Sequence, residues 1–213
     1  MVLEVLKYPD PRLRKKGLSV KAVTPEMQTL ARNMLETMAA ENGIGLAAPQ
    51  VGESYRLLVI DTRPTDEDGN VTTEGLTELE KQVAQPIVIF NPEVKVAKDK
   101  TTFEEGCLSV PGFFETVERA LYVEVEGLDI DGKPVTIKTD GLLAICLQHE
   151  MDHLEGKLFI DRLSFVKSNK IKSRIQKHGY PTVEEAEAER ADARERRKAA
   201  KEAVPVSSSN REK

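Results

Sequence analysis

The chain has 213 residues, of which 39% are hydrophobic and 31% charged, and its formal net charge is −5 at pH 7. This length predicts one domain of ordinary size with additional sequence outside its core. The acidic balance argues against general nucleic-acid binding, and no run approaches the ~18 apolar residues of a membrane span. The first residues contain no apolar signal segment, so we expect a cytoplasmic protein.

The first predicted element is a helix at residues 27–41. A Thr-Pro pair at residues 24–25 supplies an N-cap and a proline at the first helical position, and apolar residues then recur at helical spacing. The glycine-rich sequence GIGLAAPQVG, residues 43–52, predicts a loop, and the apolar run RLLVID, residues 56–61, predicts a strand. Residues 62–86 are polar and acidic, which indicates a surface insertion with a short helix in its second half.

The predicted elements continue with a strand in PIVIFNPEV, residues 86–94. Alternating apolar and polar residues over 121–138 predict two strands joined around Asp131-Gly132. A helix then begins at Gly141, and its apolar first half predicts that it enters the core.

The composition changes in the last quarter of the chain. Residues 162–178 contain six Lys or Arg residues and no carboxylate, whereas residues 184–203 are rich in alanine with interleaved acidic and basic side chains. The second segment predicts a solvated helix, and the final sequence VPVSSSNREK, residues 204–213, predicts disorder. The resulting division is a domain at residues 1–165, which includes the insertion, and a charged, partly disordered helical tail at residues 166–213.

The most informative local pattern is HEMDH, residues 149–153. On a helix, His149 and His153 lie one turn apart on the same face, so both imidazoles can reach one metal ion. Glu150 follows the first histidine and can address a water molecule on that ion. The alternative is a solvated helix with two surface histidines, and the apolar run before the motif argues against it. The pattern therefore predicts a metal-dependent hydrolase.

A catalytic site of this kind usually has a third protein ligand, and the residues alone leave its identity open. Cys146 lies on a related helix face, but its Cα is about 10.5 Å along the axis from that of His153, too far for a short side chain. Cys107 lies in a glycine-containing loop that can reach the helix from outside. The remaining candidates lie downstream and are Glu155, Asp161 and His178.

Three segments, in the same order and with similar spacing, resemble the signature motifs of peptide deformylases. They are GIGLAAPQVG at 43–52, EGCLSVP at 105–111 and QHEMDHLEG at 148–156, and the similarity extends over residues 3–165 apart from the insertion. The resemblance implies an α+β fold, with mixed or antiparallel strands around a central HExxH helix and a C-terminal helix. It also implies removal of the formyl group from the N-terminal formylmethionine of nascent polypeptides, with release of formate.

The same resemblance implies roles for individual residues. Cys107, His149 and His153 would bind one divalent metal ion, natively Fe(II), with zinc, nickel or cobalt as alternatives. Glu150 would act as general base and then as general acid. The other implied positions are the Gln50 side chain and the Leu108 N–H as oxyanion donors, and Ile44, Gly45, Gly106 and Ile145 as substrate-binding residues.

Two other functions stay open at this point: a general HExxH metallopeptidase and a non-catalytic, ribosome-associated protein. The positive charges of residues 162–178 indicate docking onto ribosomal RNA, with an ordinary solvated helix face as an equal alternative. Phe113 and Phe114 stand where other deformylases can carry charged or polar residues, and they either bound the substrate cleft or pack in the core. We also expect an ion pair between Arg119 and Glu105.

Overall fold

The computed structural model describes residues 1–202, without the side chains of residues 194 and 197–202. Within these residues the chain forms an α+β fold, as expected. The helices are α1 (Pro25–Ala40), α2 (Gly141–Leu154), α3 (Phe165–His178) and α4 (Val183–Glu202). The strands are β1 (Gly45–Ala47), β2 (Leu57–Ile60), β3 (Ile87–Lys98), β4 (Thr101–Glu105), β5 (Glu115–Arg119), β6 (Tyr122–Leu128) and β7 (Pro134–Thr139). The predicted disorder of residues 204–213 concerns a segment outside the described residues.

The strands form a five-stranded sheet in the order β1-β2-β3-β6-β7 and a separate two-stranded ribbon of β4 and β5. All these pairings are antiparallel. The predicted turn between β6 and β7 is confirmed, because Leu128 lies opposite Pro134 and Gly132 adopts a φ of 78°. β1 lies at one end of the sheet and inside the glycine-rich segment 43–52. The prediction of a loop for this segment was wrong, because Gly45–Ala47 pairs with β2 and Ala48–Val51 forms a 3₁₀ turn.

The sheet lies between α1 and α2, which explains why strand β2 is apolar throughout. Leu58 and Ile60 are buried in a cluster with the apolar residues of α2, whereas Leu57 and Val59 are buried in a second cluster with α1. Successive side chains of a strand point to opposite faces, so a strand covered on both faces needs apolar residues at every position. This packing places α2 in the core of the domain.

The tail begins with a helix that packs against the rest of the chain. Ile171 and Ile175 of α3 are buried in a third cluster with Phe113 and Phe159. The helix predicted at residues 184–203 is present as α4. No helix in the described part of the chain is both long enough and apolar enough to cross a membrane.

The insertion at residues 62–86 contains a single short helical segment, the 3₁₀ turn Glu80–Gln82. Glu80 is buried, and its Oε1 accepts a hydrogen bond from the backbone N–H of Leu143 at 2.9 Å. Its Oε2 accepts from the N–H of Thr77 at 2.8 Å. The end of the insertion thus binds the first turn of α2, a contact that the polar sequence did not reveal.

Candidate active site

Helix α2 holds the two histidines and the glutamate of the HEMDH pattern. The imidazoles of His149 and His153 lie on one face, with ring centroids 5.1 Å apart and planes at 70°. Both rings and the Glu150 side chain are buried. The helical spacing predicted this arrangement, and burial rules out the alternative of a solvated surface helix.

Cys107 approaches these histidines from the loop that follows β4. Its Sγ lies 3.3 Å from Nε2 of His153, and one ligand atom from each of Cys107, His149 and His153 lies within 4.8 Å of the others. Two imidazoles and a thiolate form a donor set that suits a divalent transition metal. Because these atoms converge, the residues present fit a bound metal ion.

The other candidates for a third ligand have different surroundings. Glu155 forms an ion pair with Arg56 at 2.5 Å, and Asp161 pairs with an arginine of the N-terminal segment. His178 is exposed at the end of α3. Cys146 is buried in the cluster between α2 and the sheet. Of the open alternatives, only Cys107 joins the histidine pair within the described residues.

A buried ionic network orients the His149 ring through Nδ1, the nitrogen that faces Glu105. This nitrogen lies 2.8 Å from Oε2 of Glu105, which leaves Nε2 directed toward the site. Arg119 donates to both oxygens of Glu105, at 2.7 and 2.8 Å, and to Asp152 at 2.6 Å. Burial alone favours a neutral carboxyl, but hydrogen bonds from Arg119 and His149 outweigh it and hold the pKa of Glu105 below its usual range. The predicted pair of Arg119 and Glu105 is confirmed.

Glu150 occupies a markedly different environment. Its Oε2 is buried and has no hydrogen-bond partner among the described residues. Burial raises the pKa of the Glu150 carboxyl to about 7. A carboxyl that titrates near neutrality can both accept and return a proton under working conditions.

The amide group of Gln50 lies beside the sulfur of Cys107, and Leu108 follows Cys107 in the chain. Oε1 of Gln50 accepts a hydrogen bond from the Ala47 N–H at 2.7 Å, which turns the amide nitrogen the other way. This Nε2 lies 3.7 Å from the Sγ of Cys107 and 3.2 Å from the Oγ of Ser109. The Leu108 N–H donates no hydrogen bond within the described part of the chain. The Gln50 amide and the Leu108 N–H are therefore the candidate oxyanion donors next to the metal ligands.

The site opens into a cleft of about 410 Å³. Its walls include the four positions predicted to bind substrate: Ile44, Gly45, Gly106 and Ile145. Gly45 begins β1, the end strand of the sheet. Arg190 of α4 also lines the cleft. Sequence reasoning missed this residue, because α4 has the repetitive charge pattern of a solvated helix and nothing singles out one arginine.

An ionisable carboxyl buried beside a convergent set of metal ligands, with an amide side chain and a backbone N–H nearby, is the arrangement of a metal-dependent hydrolase. The family profile of polypeptide deformylase matches residues 2–169. A peptide deformylase of Alkalilimnicola ehrlichii is 43% identical over 176 residues, which cover 83% of this chain and 90% of that protein.

Solved structures agree with this match. The crystal structure of a peptide deformylase from Legionella pneumophila has a TM-score of 0.70 and 44% identity, covering 83% of this chain and 95% of the other. The structure of a peptide deformylase from Ehrlichia chaffeensis in complex with actinonin has a TM-score of 0.71 and 38% identity, covering 83% and 98%. The chain belongs to the peptide deformylase family, the enzymes that remove the N-formyl group from nascent polypeptides. Membership excludes a general metallopeptidase and a non-catalytic protein as its main function.

Proposed function

We propose that this enzyme holds one divalent metal ion with Cys107, His149 and His153, and that it deformylates formylmethionyl chains in the cytoplasm. The observation that carries the proposal is the convergence of the three ligand atoms within 4.8 Å. The chemistry that a bound ion supplies is a lowered pKa of an adjacent water molecule and polarisation of the formyl oxygen. We propose Fe(II) as the native ion, and the same donors accept zinc, nickel or cobalt.

Glu150 is the proposed general base and general acid. Its unpaired Oε2 can accept a proton from the attacking water, and the same carboxyl can then deliver it to the departing amine. The pKa of about 7 supports both transfers, because neither protonation state is strongly disfavoured near neutral pH.

Gln50 and Leu108 are the proposed donors to the oxygen of the formyl group, on which negative charge develops as water attacks. The Ala47 N–H fixes the Gln50 side chain by its oxygen, so its Nε2 is already directed toward the site before substrate arrives. Replacing Gln50 by alanine is expected to lower kcat by about 10²–10³, the usual effect of removing one oxyanion donor.

The proposed substrate path follows the end of the sheet. An extended peptide can align beside Gly45, because β1 has a strand neighbour on one side only. Ile44 is 43% exposed and Ile145 is nearly buried, and together they offer an apolar surface for the methionine side chain. Gly106 lies across the cleft and offers backbone groups at close range.

The direct test is formate release from a formyl-methionyl peptide by protein purified under reducing, oxygen-free conditions and loaded with Fe(II), Ni, Co or Zn. We expect release with at least the iron form, none without a metal, and no cleavage of the same peptide lacking the formyl group. Glu150→Gln should keep the metal and lose about 10²–10⁴ in rate. Actinonin, bound in the Ehrlichia structure, should inhibit release. Absence of activity in every metal form would overturn the proposal.

Docking onto the ribosome through residues 162–178 stays a prediction. Four of the six basic side chains in this segment form ion pairs with carboxylates of the chain. Lys170 and Lys177 have no such pair within the described residues, so they are the positions to test. If the segment docks on RNA, Lys170→Glu/Lys177→Glu in the full chain should weaken co-sedimentation with ribosomes, and unchanged co-sedimentation would contradict docking.

A further inference from the structure

Helix α4 is seated against the loop that follows the Cys107 segment. Gly112 belongs to this loop, and a Cβ at its position would lie 2.5 Å from Cγ of Pro181 and 3.2 Å from Cβ of Ala186. Ala186 itself is buried. The family profile ends at residue 169, so α4 lies beyond the part of the chain that defines the family. This close packing places the additional helix α4 at the edge of the substrate cleft.

Arg190 is the residue through which α4 reaches the cleft. Its guanidinium lies 4.0 Å from the centroid of the Phe114 ring, a cation–π contact. The same ring lies against Gly106, where an added Cβ would be 2.5 Å from Cε1 of Phe114. Glu104 accepts a hydrogen bond from Nε of Arg190 at 3.0 Å. Phe114 and Glu104 therefore hold the guanidinium beside the segment that carries Cys107.

In these contacts only Nε of the Arg190 guanidinium donates a hydrogen bond. Nη1 and Nη2 of Arg190 donate no hydrogen bond within the described part of the chain, and the side chain is 34% exposed. A guanidinium presents its N–H groups in a planar fork that matches a carboxylate. Arg190 lines the same cleft as Glu150 and Cys107. A peptide that reacts in this cleft therefore lies near the guanidinium.

We infer that Arg190 is a specificity-determining residue, which favours substrates with a carboxylate side chain shortly after the formylmethionine. The inference rests on the proposed function, since it takes the cleft as the substrate site. Glu104 carries the opposite charge and weakens the attraction, so the preference is moderate. The tail of this enzyme thus forms part of its substrate-binding surface.

The test measures kcat/KM for formylated pentapeptides of methionine and alanine that carry one Glu, Gln or Lys at the second, third or fourth position. In the wild-type holoenzyme, Glu should be preferred over Gln by about three- to fivefold at one of these positions, as for a partly exposed ion pair. Arg190→Ala should bring this ratio to one, and Arg190→Glu should favour Lys. Added salt should reduce the wild-type preference.

Arg196→Ala is the matched control. Arg196 lies on the same helix, pairs with Asp192 and does not line the cleft, so its loss should leave the Glu-to-Gln ratio unchanged. Glu104→Gln keeps Arg190 and removes the competing charge, so it should raise the ratio even if Arg190→Ala unseats the helix. Equal ratios in the wild type, Arg190→Ala and Glu104→Gln would overturn the inference, whereas absence of formate release would overturn the proposed function.

Discussion

The position of the Glu150 carboxylate depends on residue 45 having no side chain. A Cβ at Gly45 would lie 2.4 Å from Oε1 of Glu150 and 2.7 Å from Sγ of Cys146, both inside van der Waals contact. Since Oε2 of Glu150 has no hydrogen-bond partner among the described residues, packing rather than hydrogen bonding holds this end of the carboxylate. The absence of a side chain at Gly45 therefore leaves the space that the Glu150 carboxylate occupies.

Gly45→Ala is expected to displace the carboxylate and lower kcat by about 10² or more, the usual effect of moving a reacting group by ~1 Å. The bound metal should be retained, because the three atoms nearest to the added Cβ belong to Glu150 and Cys146 and not to the proposed ligands. Formate release and metal content measured on the same preparation check this. An alanine variant with wild-type kcat would show that the carboxylate tolerates the added methyl group.

Single residues differ in how far the sequence predicts them. His149 and His153 were predictable because the spacing of four residues fixes a common helix face. The third ligand was not, since no periodicity encodes the path of a loop, and only the resemblance of whole motifs selected Cys107. The contact of Glu105 with His149 joins residues 44 positions apart. Such pairs depend on tertiary packing.

At the scale of elements, the N-terminus of helix α2 is capped by a residue that lies outside the helix, Glu80. The N-cap residue Asp140 makes no side-chain capping hydrogen bond. Glu80 instead accepts from the Leu143 N–H, and its carboxylate lies next to Gly141. A carboxylate at a helix N-terminus satisfies a free N–H and interacts favourably with the helix dipole.

Glu80→Ala should therefore lower the free energy of unfolding by about 1–2 kcal/mol, the cost of losing a helix cap. Glu80→Gln keeps an acceptor oxygen and should lose less. Urea unfolding of the three proteins with the metal bound measures the order. Equal stability of the alanine variant and the wild type would mean that the insertion does not support α2.

Most elements with a strong apolar pattern were predicted, whereas the polar strands β4 and β5 were missed. The periodicity gave α1, β2, β3, the β6–β7 pair and α2. Strands β4 and β5 were not predicted, because their sequences TTFEE and ETVER are largely polar. Only three of the ten residues are buried, namely Glu105, Val117 and Arg119. A charged pair such as Glu105 and Arg119 is not recognised as a strand interior from sequence alone.

At the scale of the whole molecule, Asp161 joins the N-terminal segment to the chain that follows α2. Its carboxylate accepts hydrogen bonds from Arg14 and from the backbone N–H of Leu158, and lies 3.3 Å from Lys172 of α3. Burial favours the neutral acid, but these contacts outweigh it and hold the pKa of Asp161 below its usual range. One side chain thus links three parts of the sequence.

A depressed carboxyl pKa stabilises the fold above the unfolded-state pKa, about 3.9, and this contribution disappears as pH falls through the folded-state value. Asp161→Asn should therefore lower Tm at pH 7 by about 2–4 °C, and its difference from the wild type should shrink below pH ~4. Thermal unfolding followed across this pH range checks the sign. A difference that grows on acidification would contradict the assignment.

The most direct measurement compares the two cysteines of the chain. Cys107→Ser and Cys146→Ser make the same chemical change, one at the proposed metal ligand and one in the core cluster. Metal content and formate release should both be lost in Cys107→Ser, whereas Cys146→Ser should keep one ion per chain. A Cys107→Ser protein that binds one ion and releases formate at the wild-type rate would contradict the proposed centre.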